Sequence, residues 1–215
     1  SWLIQRAKCL YCQKSISIKY PLIELTSGIL FIIFRNSSPS IYSASSSSVI
    51  IIFLSWIFLS LLICISLIDI NRFWIPQGLI NFGFFSGILG LISTEIFNNK
   101  LIDFYLIFKS LGVSAISFLI FESLRYFARY IFQKDALGKG DSKLVAMLAL
   151  WLGPSGILLA VGTSYILAAI YCLIGLSFNF IKLGQIIPFA PFLSLGGLIV
   201  WFLGNQFIFE KILGI

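Results

Sequence analysis

The sequence has no histidine, and only 11% of its 215 residues are charged. Without histidine there is no Ser–His or Cys–His pair to raise a nucleophile, and no Ser–Lys pairing stands out in its place. A soluble domain carries nearer a quarter charged residues, so the charge shortage excludes that class. No apolar run sits at the N-terminus behind a basic head, which argues against a cleavable signal peptide. An internal repeat of the kind that marks many transporters is also missing.

What remains is strongly apolar: 59% hydrophobic residues and a mean hydropathy of +1.03. Apolar runs cover residues 21–34, 49–68, 79–94, 104–124, 143–152, 156–178 and 186–209, parted by short polar loops. A helix needs about 20 such residues to cross ~30 Å of hydrocarbon. The pattern predicts an all-α polytopic transmembrane bundle of about seven helices. The run at 143–152 covers only about half a bilayer at ~1.5 Å per residue, so it must be extended backwards or sit in a thinned region.

Basic residues give the orientation. With the N-terminus in the cytoplasm, eleven of the fifteen Lys and Arg fall inside (Arg6, Lys8, Lys14, Lys19, Arg72, Arg125, Arg129, Lys134, Lys139, Lys143, Lys182) and three outside (Arg35, Lys100, Lys211), with Lys109 inside a run. The net charge of +7 follows from this loop bias and calls for no nucleic acid. The partner it implies is the lipid bilayer.

The topology brings two acids to one face. Asp69 closes the apolar run VIIIFLSWIFLSLLICISLI, and Asp141 opens the short run within ALGKGDSKL. Acids at such depth are costly and serve function by default. Two carboxylates in a poorly hydrated cleft can share a proton, so that one activates water while the other donates to a carbonyl oxygen. The glycines of GKGD, Gly138 and Gly140, are expected to let the backbone bend and expose the aspartate. The residues alone leave other readings open: an ion or proton pathway in a small transporter, or structural pairing of the acids with Lys139, Lys143 or Arg72.

Four ordered stretches carry a resemblance. LGKGDSKLVAMLALWLGP resembles the GxGDxK segment of the bacterial type IV prepilin peptidases, membrane aspartyl proteases. CLYCQKSISIKYPLIELTSGILF resembles their CxxC and YPLVEL segment, LIDINRFWIPQGLI their ID…IP…L segment, and IIPFAPFLSLGG their PFxPFLxLG motif. The resemblance implies that Asp69 and Asp141 are the catalytic dyad, shaped by Gly138 and Gly140. Lys143 and Glu24 match the motif's lysine and acid without an assigned step. It also implies removal of a short basic leader, after a glycine, from prepilins or pseudopilins at the cytoplasmic face of the bacterial inner membrane. No cofactor is implied for proteolysis. S-adenosylmethionine would serve N-methylation of the new terminus, and zinc would serve the family's paired CxxC motifs.

The sequence departs from the family in two respects. Family members have eight helices and two CxxC pairs, whereas only Cys9 and Cys12 are present here, half of a tetrahedral zinc site. The chain then reads as a remnant of the cytoplasmic CxxC loop at 1–20 and a membrane-embedded peptidase domain at 21–215. A truncated, inactive homologue that still binds pilins is the remaining alternative. Gln77, after IP, is expected to be dispensable.

Smaller expectations complete the reading. Cys64 and Cys172 read as packing residues, and Trp74, Trp151 and Tyr42 as interfacial aromatics. Asp103, Asp135 and Glu210 read as solvated. Glu122 is placed to pair with Arg125, and the stretch from Arg125 through Arg129 and Tyr130 reads as a basic segment lying on the inner leaflet. Small residues in FGFFSGILG and LSLGG suggest close helix contacts.

Overall fold

The computed structural model describes residues 2, 7–9, 11–33, 48–97, 104–133, 138–182, 185 and 187–203. Tyr42 and the Ser-rich stretch before residue 48, along with Arg6, Lys100, Asp103, Lys134, Asp135, Glu210 and Lys211, lie outside the described residues.

The apolar runs become helices α1 (Lys19–Ile33), α2 (Ser48–Arg72), α3 (Gln77–Phe97), α4 (Phe104–Phe132), α5 (Lys139–Ser177) and α6 (Ala190–Leu203). The fold is all-α. The one β feature among the described residues is an isolated bridge between Lys8 and Ser15. Among the described residues, three helices are long and apolar enough to cross a membrane, over Val49–Arg72, Phe104–Ile131 and Lys139–Ser177; Gln77–Ser93 and Ala190–Leu203 are shorter apolar helices.

α5 is two arms joined at Gly153, whose φ of 72° and ψ of −177° no helix contains, followed by Pro154. On a straight helix Asp141 and Tyr165 would stand about 36 Å apart. Instead both approach Phe189, whose ring centroid lies 5.1 Å from that of Tyr165 and which shares a cavity wall with Asp141. The adjacent glycines of α6 report the same reversal, because Gly197 faces Leu148 of the first arm and Gly196 faces Ala160 of the second. The short run therefore does not face lipid. It extends back to Lys139 and forms the centre of the bundle, with every residue from 144 to 152 buried.

Around that arm lies an aromatic cluster. Phe58 packs at 5.0 Å from Trp151 and 4.7 Å from Trp201, measured between ring centroids. The Trp151 indole N–H donates to the Gly83 carbonyl at 2.8 Å, and that of Trp201 to Ser55 Oγ at 3.0 Å. Trp151 is thus a core residue and not the interfacial one expected, because its only polar atom has a partner inside the bundle. The small residues of α3 make this geometry feasible. A Cβ on Gly83 would lie 2.1 Å from Met147 Sδ, and one on Gly87 would lie 2.9 Å from the Trp151 indole nitrogen. Trp151→Phe is expected to cost about 1–2 kcal/mol through the lost hydrogen bond, read as a lower midpoint of thermal unfolding in detergent.

Two further expectations are corrected. The stretch from Arg125 to Tyr130 continues α4 rather than beginning a separate segment, and Arg125 is buried. Cys64 is exposed on α2 and Cys172 half-buried, so Cys64 does not pack the core.

Candidate active site

Three loop-to-helix junctions meet at one end of the bundle. α2 ends with the Phe73 N–H on the Asp69 carbonyl at 2.9 Å, and Phe73 itself takes a left-handed φ of 52°. Residues 74–76 then run into α3, whose first turn is anchored on the Pro76 carbonyl. α5 begins at Lys139 and α6 at Ala190. Between these ends lies a cavity of about 550 Å³ walled by Asp69, Phe73, Trp74, Ile75, Gln77, Ile80, Gly138, Lys139, Gly140, Asp141, Lys143, Ile187, Pro188 and Phe189.

Both aspartates line this cavity although 72 positions separate them in sequence (141 minus 69). Each is nearly buried, at 6% and 7% exposure. Each is also held at the start of a helix, where N–H groups lack helical partners. The Ala190 N–H, opening α6, donates to Asp69 Oδ2 at 3.3 Å. The Gly138 N–H donates to Asp141 Oδ2 at 3.1 Å, with Asp141 in the first turn of α5.

The motif glycines act through space rather than through bending. Gly138 is extended, at φ −70° and ψ 144°, and Gly140 lies within α5. Among the described glycines only Gly153 has a positive φ, so the expected sharp bend at GKGD is not found. A Cβ on Gly140 would come within 2.9 Å of Ile75, and one on Gly138 within 3.1 Å of Asp141 Oδ2. Glycine at these positions lets the start of α5 close against the loop after α2.

The other motif residues divide. Lys143 is exposed at the rim and donates from Nζ to Gln77 Oε1, while Gln77 Nε2 donates to Asn81 Oδ1 at 2.9 Å. Gln77 therefore holds a lysine that walls the cavity, a partnership its neighbours in sequence did not suggest. Glu24 is exposed on α1 and does not line the cavity. Glu122 pairs with Arg125 as expected.

Cys9 and Cys12 lie in a tight turn, with the Cys9 N–H on the Lys14 carbonyl at 2.9 Å and the Gln13 N–H on the Cys9 carbonyl at 3.0 Å. Backbone N–H groups of Cys12, then of Tyr11, aim at the Cys9 sulfur and hold its thiol below the ordinary value. That turn suits two thiolate ligands. A closed zinc site takes four, and no cluster of three or more His, Cys, Asp or Glu occurs among the described residues. The described residues do not by themselves make a zinc site.

The sequence profile of the type IV leader peptidase family matches residues 56–173, which include both aspartates. The chain belongs to the type IV leader peptidase family. Its profile for the bacterial A24 N-terminal domain matches residues 1–37. Among curated relatives, the type 4 prepilin-like proteins leader peptide-processing enzyme of Escherichia coli O78:H11 is 32% identical over 212 residues, covering 96% of this chain and 70% of the relative. The prepilin leader peptidase/N-methyltransferase of Stutzerimonas stutzeri is 27% identical over 96% of this chain and 66% of its own length. That of Myxococcus xanthus is 32% identical over 71% of this chain and 41% of its own. The chain thus spans about two thirds or less of most of these relatives' lengths. No solved structure matches it. As a family member with membrane-length apolar helices, it falls in the class of membrane proteases.

The sequence alone did not reveal the third junction's role. IIPFAPFLSLGG carried a resemblance but no chemistry, because its contribution is the Ala190 backbone N–H and an apolar wall, neither of which has a side-chain signature.

Proposed function

We propose that this chain is an aspartyl endopeptidase that removes the short basic leader from type IV prepilins or pseudopilins, cutting after a glycine at the cytoplasmic face of the bacterial inner membrane. The observation that carries the reading is the pairing of two nearly buried aspartates, from α2 and α5, on the wall of one cavity. The family and the names of its relatives supply the substrate class.

Two carboxyls on the wall of one poorly hydrated cavity can share a proton, and their titration then belongs to the pair. The ionised member takes a proton from water as the water attacks the scissile carbonyl carbon. The protonated member hydrogen-bonds the carbonyl oxygen and later delivers its proton to the leaving amine. Ile75, Ile80, Ile187 and Phe189 give the pair an apolar wall, and where such a wall excludes water the electrostatic contacts within are strengthened. The cavity lies at the ends of apolar helices, so the bond cut would lie where a substrate's polar leader meets its membrane-embedded segment. Asp69 and Asp141 are the catalytic residues, Gly138 and Gly140 give room for them, and residues 21–215 form the peptidase unit. Methyl transfer, the second activity in several relatives' names, would draw on a donor such as S-adenosylmethionine.

The test uses the protein in liposomes with a prepilin-like peptide carrying a basic leader that ends in glycine. Cleavage after that glycine is expected, at the same rate with a metal chelator present. An intact peptide beside well-folded protein would remove the reading.

A further inference from the structure

Asp141 projects from the first turn of a helix, and its direction depends on how that helix is rotated about its own axis. Successive residues of an α-helix point about 100° apart. Gly140, Asp141 and Ser142 therefore face three different neighbours. Gly140 faces Ile75 and Asp141 faces the cavity. Ser142, 2% exposed, donates from Oγ to Glu122 Oε2 on α4 at 3.0 Å.

Glu122 is itself fixed. Arg125, one turn along α4 and 5% exposed, donates Nε to Glu122 Oε2 at 3.2 Å and a second N–H to Oε1. Both carboxylate oxygens are thus gripped by a planar fork, and one of them also takes the serine hydroxyl. The Arg125 guanidinium lies 4.9 Å from the Tyr126 ring centroid, which further limits its swing. No residue of α4 lines the aspartate cavity. Arg125 is buried while Glu122 is partly exposed, at 6% and 23% of their side chains, and burying the guanidinium costs desolvation that an apolar residue would avoid. The geometry of the ion pair serves Ser142, the residue next to Asp141.

We propose that Arg125, Glu122 and Ser142 form a positioning relay from α4 that sets the rotation of α5 and so aims Asp141 at its partner. The proposal rests on the peptidase reading above. Ser142 and Glu122 are positioning residues: neither touches the cavity, and their effect should appear in the chemical step and not in substrate binding. A misplacement of about 1 Å at a catalytic group can cost on the order of 100-fold in rate.

The test compares prepilin-peptide cleavage by wild type, Ser142→Ala, Ser142→Thr, Glu122→Gln and the double variant Ser142→Ala/Glu122→Gln, each with its thermal unfolding midpoint. Ser142→Ala keeps the ion pair and so carries the test even if Glu122→Gln folds poorly. It is expected to lower kcat about tenfold with KM within about twofold, and to lower the midpoint by no more than a few degrees, the cost of one hydrogen bond. Ser142→Thr, which keeps the hydroxyl, is expected to recover kcat to within about threefold of wild type. The double variant is expected to be no slower than Glu122→Gln alone, because both changes cut one relay. A wild-type kcat for Ser142→Ala, or single losses that multiply in the double variant, would overturn the relay. A folded wild type that cleaves nothing would overturn the peptidase reading and the relay with it, an outcome distinct from active wild type with indifferent Ser142.

Discussion

Asp69→Asn and Asp141→Asn are each expected to lower leader cleavage by at least about 10³-fold, the scale on which removing one member of a catalytic unit acts. Asparagine has nearly the shape of aspartate and keeps an oxygen that can accept the Ala190 or Gly138 N–H. It cannot take a proton from water, and it cannot hold one in reserve for the leaving amine. The loss should therefore be chemical and not structural. Thermal unfolding midpoints in detergent should stay within a few degrees of wild type, and a peptide should still bind. A large fall in the midpoint would instead show that the carboxylates are structural partners, the plain alternative for acids in a membrane protein.

The second large effect is expected far from the aspartates, at Gly196→Val. A Cβ at Gly196 would lie 2.3 Å from the Ala160 carbonyl oxygen, 2.4 Å from Ser164 Oγ and 2.9 Å from Thr163 Oγ1. The first of these is backbone, so no side-chain rotation relieves it, and α6 must move away from the second arm of α5. Overpacking of this kind costs on the order of 3 kcal/mol. In a chain of this size that is about 6–12 °C of unfolding midpoint. Activity should fall with it, because the first residue of α6 supplies the N–H that holds Asp69. Gly162 provides the control. It lies on the same arm, and nothing stands within 4 Å of its Cβ position. Gly162→Ala is expected to be neutral or stabilising by up to ~1 kcal/mol.

Much of this architecture was legible in the residues. Apolar runs bounded by charged loops marked the helices, and the break between the runs at 143–152 and 156–178 fell where α5 reverses at Gly153. Arg125 one turn after Glu122 announced its own ion pair. Counting crossings brought Asp69 and Asp141 to one face before any contact was known. Other features could not be read. Trp151 and Trp74 look alike in a chain with 22 phenylalanines, yet one is fully buried and the other 62% exposed. Burial follows from the short first arm of α5 being surrounded by its neighbours, a tertiary fact. GKGD suggested bending, whereas the requirement is room against Ile75, a residue 65 positions earlier (140 minus 75). Gln77 looked replaceable because its partner, Lys143, is 66 residues away.

The central claim is that the two aspartates act as one unit, and additivity tests it most directly. Cleavage of one prepilin peptide would be followed with wild type, Asp69→Asn, Asp141→Asn and the double variant, all folded and in the same liposomes. The account predicts that the double variant is no slower than either single, since removing one member of a shared-proton pair already disables it. Single losses that multiply, or one aspartate whose replacement leaves cleavage near the wild-type rate, would contradict it.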